Sequence, residues 1–419
     1  MDAVTWVSKI MADFKENTGL PTQKKPPRRY LWTDAFAVCN FLALYWQTRD
    51  KVWLTSAKEL VDQVHFVLGR HRDDDPRTGW ISGLDEKEGK QHPTRGGLRI
   101  GKPLNERRPD EPFDQNLEWD RDGQYYHYLT KWMHALNQVA RVTRDPVYSR
   151  WALELAQSAH AGFVHASSSG TLRMYWKMRI DLSSPLVPSM GQHDPLDGLI
   201  TYSRLQATAS QLFSQPGTSL KSEIAHMASL CQKMSWETSD PLGVGGLLCD
   251  ALTTAQLHLQ GIADPLPSLH VLLKDGLSGM DACINSPSFK APPEFRLAFR
   301  ELGMTIGLHA VQKLAVLVKD HPDVFREAVG KMQVFEEYYG WCDIIEGFWL
   351  APENQQVRTW TDHRDIKIGL HILDSADGCV KRFEHERRNK ADDQSEKQTH
   401  HRDRGERARG DLRGRCGAH

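Results

Sequence analysis

Apolar residues recur at three- and four-residue spacings along most of the chain, which is the period of an amphipathic helix. The approximate bounds of the helices that this pattern predicts are 34–48, 54–69, 123–142, 146–165, 195–213, 219–234, 244–260, 267–280, 294–316 and 322–338. Strand-like patterning is confined to the connections and is strongest at 171–182, where a small β-hairpin or an extended insertion is expected. The pattern therefore predicts an all-α protein.

One connection is unusually long. Residues 71–118 are rich in Gly, Pro, Asp and Arg and show no helical period. Loops of this length in a compact domain are usually functional or disordered. We expect this loop to cover one side of a binding site.

Two similar segments, offset by 95 residues, indicate a repeated helical hairpin. The segment TRDKVWLTSAKELVDQVHFVL at 48–68 aligns with TRDPVYSRWALELAQSAHAGF at 143–163, and the alignment pairs His65 with His160. Each block fits a turn followed by the second helix of a hairpin. We expect both histidines to be structural, on outer helices.

The segments that precede every other helix are alike in chemistry. They are YLWTDAF (30–36), EWDRDGQYYHY (118–128), GQHDPLDG (191–198), SDPLGVGG (239–246), PPEFRLAFRELG (292–303) and TWTDHRDI (359–366). Helix N-termini present unpaired N–H groups and partial positive charge, so inner helices that start at one mouth form a polar ligand site. The alternative is that the Asp and Thr residues act only as N-caps.

Alternating helices with Trp, His, Asp and Arg at the inner starts resemble the (α/α)6 barrels of the six-hairpin glycosidase-like superfamily. The N-acylglucosamine 2-epimerase family has the same architecture. The resemblance covers about residues 30–366 and implies an (α/α)6 toroid. It implies a carbohydrate substrate only by analogy with other proteins of this fold. The domain organisation expected is an N-terminal extension (1–29), the barrel (30–378) and a tail (379–419).

The tail departs from that pattern, because the amphipathic twelfth helix is missing beyond Gly378. The remaining residues mix many charges of both signs with few apolar side chains. Such a segment cannot bury much surface, so we expect it to be disordered and to contribute nothing to the site.

The balance of charges and the distribution of cysteines argue against several classes of protein. The 53 Lys and Arg residues balance 54 Asp and Glu residues, so no global basic field favours nucleic acid or a membrane surface. The N-terminus lacks the apolar stretch of a secretory signal, and no long apolar run suggests a membrane span. The seven cysteines are scattered, as expected for reduced thiols. These observations predict a cytoplasmic protein.

Carboxylates at two helix starts are the candidate catalytic residues. Hydrolysis of a glycosidic bond needs two carboxyl groups that flank it, one protonated and one ionised. Asp120 or Asp122 could pair with Asp194 or Asp197, and Asp34 is a third candidate partner. The structural alternative is an Asp–Arg cluster that only caps the helix.

Aromatic and polar residues at the same starts are candidates for substrate binding, because flat rings stack on the apolar faces of sugars. Trp32, Trp119 and Trp360 each accompany an aspartate. The full set of predicted substrate-binding residues is Asp34, Trp32, Trp119, Arg121, Tyr125, His127, Arg95 and Trp360.

Histidines support a second reading, a sugar epimerase or isomerase, since imidazole can donate and accept protons near neutral pH. The candidates are His127, His193, His309 and His363, which lie on or near predicted inner helices, so two of them could face each other across the cavity. A third possibility is a non-catalytic helical scaffold that binds a partner through its long loop. No metal or cofactor motif is recognised. The expected partner is a small carbohydrate, and the oligomeric state is left open.

Overall fold

The computed structural model describes residues 3–20, 27–212, 219–232 and 234–361. In chain order the helices are α1 (Ala3–Thr18), α2 (Leu31–Thr48), α3 (Lys51–Leu68), α4 (Glu86–Gln91), α5 (Gln115–Asp120), α6 (Tyr126–Thr143), α7 (Pro146–Phe163), α8 (Asp194–Leu212), α9 (Lys221–Cys231), α10 (Pro241–His258), α11 (Leu269–Ile284), α12 (Ala298–Asp320), α13 (Val329–Phe335), α14 (Gly340–Leu350) and α15 (Arg358–Thr361). The predicted tail and His363 lie outside the described residues.

The long helices alternate between an inner and an outer layer. The inner helices α2, α6, α8, α10 and α12 each pack against the next one in chain order. Their outer partners are α3, α7, α9, α11 and α14, in the same order. The prediction of an all-α toroid of alternating inner and outer helices is confirmed.

The repeated turn between the first two hairpins has the same geometry in both copies. Arg49 and Arg144 adopt left-handed backbone conformations with φ of 61° and 60°. The aspartates that follow, Asp50 and Asp145, accept hydrogen bonds from backbone N–H groups two residues later and so cap α3 and α7. The match between the two segments is therefore also a match of local structure.

Both histidines of the repeat are buried on outer helices. Trp132 Nε1 donates to His65 Nε2 at 3.1 Å. The His160 ring stacks on His226, with Nε2 and Nδ1 3.0 Å apart. Neither imidazole belongs to the inner layer, which agrees with a structural role.

The last helix that the apolar period predicts is not continuous in the structure. The helix expected at 322–338 is interrupted by 3₁₀ turns at Arg326–Ala328 and Glu336–Tyr338, and helical structure continues to Leu350. The apolar period is kept across the breaks, since Phe335, Tyr338 and Cys342 are all buried. Periodicity therefore identifies the buried face but not the interruptions.

The extended segment at 171–182 contributes to two small sheets rather than to one hairpin. Strand β3 (Leu172–Met174) pairs with β2 (Val164–Ala166). Strand β4 (Lys177–Met178) lies between β1 (Gln124–Tyr125) and β5 (Pro185–Val187). The second sheet links this segment to the start of α6.

The long loop at 71–118 is held by ion pairs. Arg77 bridges Asp75, Glu106 and Asp181, with N···O distances of 2.8 Å. Arg107 pairs with the buried Glu118. The loop thus has a defined path along the end of the barrel where the inner helices begin.

The apolar core consists of two clusters. The first contains residues of α1, α2, α3, α6, α7 and α9 and of one face of α8. The second contains residues of α10 through α15 and of another face of α8. By length and composition α12 could cross a membrane, but 61% of its apolar window is buried inside the protein. It therefore packs here as a core helix.

Candidate functional site

A cavity of about 670 Å³ runs along the axis of the barrel. All five described inner helices contribute to its wall. At its mouth lie residues from the first turns of these helices: Trp32, His127, Asp194, Leu242 and Arg300. Five of the six predicted inner-helix starts therefore converge on one mouth, and most of the sixth, at 359–366, lies outside the described residues.

Aromatic side chains form one wall of the mouth. The Tyr125 ring stacks on His127 at 5.3 Å, and Trp176 lies 5.5 Å from Tyr125. Trp32 contacts Tyr128 at 5.0 Å. Pairing of β1 with β4 places Trp176 beside Tyr125, so the small sheet positions this wall.

Trp119 extends the wall outward. Its ring lies edge-on to Trp176 at 5.2 Å and is 46% exposed. An exposed ring beside a cavity is suited to stacking against a ligand.

Asp194 is the first residue of α8 and lies against the cavity with a buried carboxyl group. Burial, reinforced by the charge of Asp197, raises the pKa of Asp194 to about 7. This shift is equivalent to about 4 kcal/mol, whereas a helix N-terminus favours a negative charge by at most about 2 kcal/mol. Burial therefore outweighs the helix dipole, and Asp194 carries a proton over much of the range below neutral pH.

The contacts of Asp194 leave one oxygen available. Oδ1 lies 4.0 Å from His127 Nδ1. Oδ2 is buried and has no hydrogen-bond partner among the described residues. A protonated carboxyl with an unpartnered oxygen in a cavity is a candidate proton donor.

A salt bridge lies one turn deeper. Lys131 Nζ is 3.0 and 2.9 Å from the two carboxylate oxygens of Asp197. Thr130 Oγ1 donates to Asp197 as well. Burial alone would lower the pKa of Lys131, but the carboxylates of Asp197 and Asp250 outweigh it and raise that pKa. Asp197 is thus fully occupied by its neighbours.

Asp250 faces the same part of the cavity from α10. Burial, with the nearby Asp197 charge, holds the pKa of Asp250 well above its usual value. The middle of the cavity therefore combines one ion pair with a carboxyl group whose proton affinity is increased by burial.

His127 and His193 favour the neutral form at pH 7. Burial, with the charge of Lys131, lowers the pKa of His127 to about 4. Burial also lowers the pKa of His193, whose Nε2 lies 2.8 Å from the carbonyl oxygen of Trp236. That carbonyl can only accept, so Nε2 of His193 carries the proton and Nδ1 is left as a base.

Besides Asp197 and His309, six of the predicted site residues line the cavity. They are Asp194, His193, Trp32, Trp119, Tyr125 and His127. They come from α2, α5, β1, α6, α8 and the residue before α8. The structure thus brings together residues that are up to 162 positions apart in the sequence.

The second helix start, EWDRDGQYYHY, does not supply the expected carboxylate. Asp122 is fully buried and forms salt bridges with Arg72 and Arg99. Asp120 is exposed at the end of α5, and Arg121 pairs with Glu111. None of these three lines the cavity, so the predicted pairing of Asp120 or Asp122 with Asp194 is corrected here.

Three predicted binding residues also lie elsewhere. Asp34 accepts the backbone N–H of Tyr30 and pairs with Arg29, which makes it a structural group at the start of α2. Arg95 lies near Glu154 and is half exposed. Trp360 is buried against Trp349 in the core.

Sequence reasoning missed several cavity residues deeper in the barrel. On α6 they are Lys131, His134 and Gln138, at helical spacing from His127. The signal was present, because three- and four-residue steps from a residue at the mouth continue along the same helix face. Lys102 and Tyr30, from connections before α5 and α2, had no such signal.

Among the described residues no group of three His, Cys, Asp or Glu side chains could hold a metal ion.

Comparisons with known proteins give structural likeness only. No family model and no curated protein matches the sequence. A cellobiose 2-epimerase from Spirochaeta thermophila is 11% identical, covers 89% of this chain and 98% of its own, and has a TM-score of 0.45. The GH76A α-1,6-mannanase from a Salegentibacter species is 11% identical, with 89% and 99% covered and a TM-score of 0.46. A cellobiose 2-epimerase from Bacillus thermoamylovorans is 12% identical, with 74% and 76% covered and a TM-score of 0.39. The chain is similar to each of them in its helical path.

Proposed function

We propose that this protein is a carbohydrate-active enzyme that acts on a small sugar or glycoside by acid–base chemistry at the mouth of the barrel. The observation that carries the proposal is Asp194, a buried carboxyl with a pKa near 7 beside a wall of aromatic rings. The wall suits the apolar face of a sugar, and the carboxyl suits proton transfer to a sugar oxygen.

Hydrolysis of a glycosidic bond is the first candidate reaction. Asp194 would give its proton to the leaving oxygen as the bond between that oxygen and the anomeric carbon breaks. A second carboxylate would take a proton from the water that attacks the same carbon.

Asp240 is the second carboxylate that the geometry favours. It precedes α10 at the mouth, and its Oδ1 is 2.6 Å from Arg300. Its side chain is 36% exposed, so water reaches it. Asp197 is less suitable, because Lys131 and Thr130 occupy its oxygens.

Epimerisation or isomerisation is the second candidate, and the neutral histidines favour it. A base must remove a proton from the carbon beside a carbonyl, and an acid must return one. His127 and His193 both reach the cavity near Asp194, and His193 has Nδ1 available as the base.

Ligand binding is tested first by thermal shift against mono- and disaccharides, uronic acids and sugar phosphates, because a ligand of the folded state raises its stability. A ligand found in this way is then incubated in H₂¹⁸O and in D₂O. Hydrolysis places ¹⁸O on the released anomeric carbon, and epimerisation places deuterium on a carbon. No binding to any sugar would contradict the proposal and favour the scaffold alternative.

Variants assign the roles. We expect Asp194→Asn to lower kcat by about a hundredfold or more in either reaction, since general acid catalysis contributes about 10² to 10⁴. Asp240→Asn should abolish hydrolysis and leave epimerisation, and His193→Ala should do the reverse. Asp320→Asn, at the far end of α12, is the matched control. Full activity of Asp194→Asn would refute the assignment.

A further inference from the structure

We propose that the cavity binds an anionic sugar that carries a carboxylate, a uronic acid, and that Lys102 holds its negative group. This inference rests on the proposed function and names the substrate class for the same site.

Lys102 is fixed at the cavity by its backbone. Gly101, with φ of 91°, lets the loop pass close to Arg29, and its N–H donates to Asp122 at 2.9 Å. The carbonyl oxygen of Lys102 accepts from Arg72 at 2.6 Å. These contacts anchor the residue on both sides, so the position of its side chain is set by the loop.

The ammonium group of Lys102 lies within the aromatic wall. Nζ is 5.5 Å from the centre of the Tyr30 ring. The hydroxyl groups of Tyr30 and Tyr128 share a hydrogen bond, with their oxygens 2.6 Å apart. The side chain is partly buried and lines the cavity. Burial lowers the pKa of Lys102, although Asp120 and Asp122 oppose this at longer range.

Lys102 has no carboxylate within 4.0 Å among the described residues, unlike other cations of the mouth. Lys131 is paired with Asp197, and Arg300 is paired with Asp240. A partly buried cation without a counterion gains most when a ligand supplies one.

Three arginines near the mouth are engaged outside the cavity. Arg99 pairs with Asp122, Arg121 with Glu111, and Arg95 lies near Glu154. The candidate partner for an anion is therefore a lysine that the sequence did not distinguish.

The surroundings also favour negative charge. The inner helices direct their N-termini toward the mouth, where partial positive charge accumulates. Lys102 lies beside the start of α2, and Asp194 begins α8, with α6 between these helices. The negative group would thus lie across the aromatic wall from the proton donor.

Matched probe pairs test this inference directly. Methyl glucoside and methyl glucuronide differ by one carboxylate, as do the corresponding galacto and manno pairs. Isothermal titration of the full chain gives an affinity ratio for each pair. We expect at least one uronide to bind roughly ten- to hundredfold more tightly than its neutral parent, the range for a hydrogen bond to a charged group.

Substitutions connect the ratio to Lys102. Lys102→Met should bring the ratio close to one, and Lys102→Arg should retain most of it. Lys274→Met, an exposed lysine on the outer helix α11, should behave as the parent protein. The preference should also weaken as salt is added.

The outcomes separate the two proposals. Neutral sugars that bind as well as their uronides would overturn the anionic substrate and leave the proposed function standing. An unchanged ratio in Lys102→Met would overturn the role of Lys102. A panel in which no sugar of either kind binds would overturn both.

Discussion

The carboxyl group of Asp194 shows how one residue can be destabilising and useful at once. Its pKa near 7 means that the folded state holds a proton which the unfolded chain releases near pH 4. Between these values the folded state binds more protons, so its stability falls as the pH rises. The same burial that creates a proton donor therefore lowers stability at neutral pH.

Asp194→Asn removes this titration and keeps the shape of the side chain. We expect the melting temperature of the variant, relative to the parent, to rise by a few degrees between pH 4 and pH 8, reflecting roughly 2–4 kcal/mol. Scanning calorimetry of both proteins at several pH values measures this, with Asp320→Asn as control. A difference that does not change with pH would show that Asp194 titrates normally.

The site could be predicted only in part at this scale. Asp122 and Asp194 both lie at the starts of inner helices in similar polar segments. They differ because Arg72 and Arg99, from the long loop, neutralise Asp122, whereas Asp194 has no salt bridge to an arginine among the described residues. Such long-range pairing leaves no local pattern, so the sequence could nominate both carboxylates but could not choose between them.

At the scale of elements, α10 and α12 form the closest pair of helices. A methyl group on Gly245 would overlap the carbonyl oxygen of Gly303, and one on Gly307 would lie 2.6 Å from Gly245 Cα. We call these three residues, Gly245, Gly303 and Gly307, the glycine seam. Both helices line the cavity, so the seam sets the width of this part of its wall.

Two adjacent glycines on α10 test the seam. Gly245→Ala should lower the free energy of unfolding by about 3 kcal/mol, because backbone atoms must move apart. Gly246→Ala meets nothing within 4 Å and should raise it by about 0.5–1 kcal/mol through helix propensity. Urea unfolding measures both. Equal effects of the two substitutions would contradict the close contact.

Secondary-structure elements were predicted more accurately where contacts between residues close in sequence determine them. The Thr-Arg-Asp turns before α3 and α7 have the same cap and the same left-handed arginine. The pairing of β4 with β1 and β5 depends on segments distant in sequence, so the pattern at 171–182 indicated extended structure without its partners.

At the scale of the whole molecule, the two core clusters meet at α8. Leu199 and Tyr202 belong to the first cluster, and Leu196 and Ile200 belong to the second. A third face of α8, with Asp197 and Arg204, lines the cavity. Outside α8, the partly buried Cys231 and Leu266 pack against both clusters, and we expect each cluster to behave as a cooperative unit.

Buried leucines on two outer helices test this division. Leu60 on α3 and Leu272 on α11 are fully buried, one in each cluster. Each change to Ala should cost about 2–5 kcal/mol. Native-state hydrogen exchange should show the loss of protection mainly in the cluster that carries the substitution. Loss of equal size in both clusters would indicate a single cooperative core.

The glycine seam also has a consequence for how this chain can change over evolutionary time. Most positions of α10 and α12 can exchange one apolar side chain for another, because neighbours can repack. Where backbone meets backbone, as at Gly245 and Gly303, no repacking is available. Descendants that keep this barrel should therefore retain the smallest residues at 245, 303 and 307 even after the residues around the cavity have diverged toward other substrates.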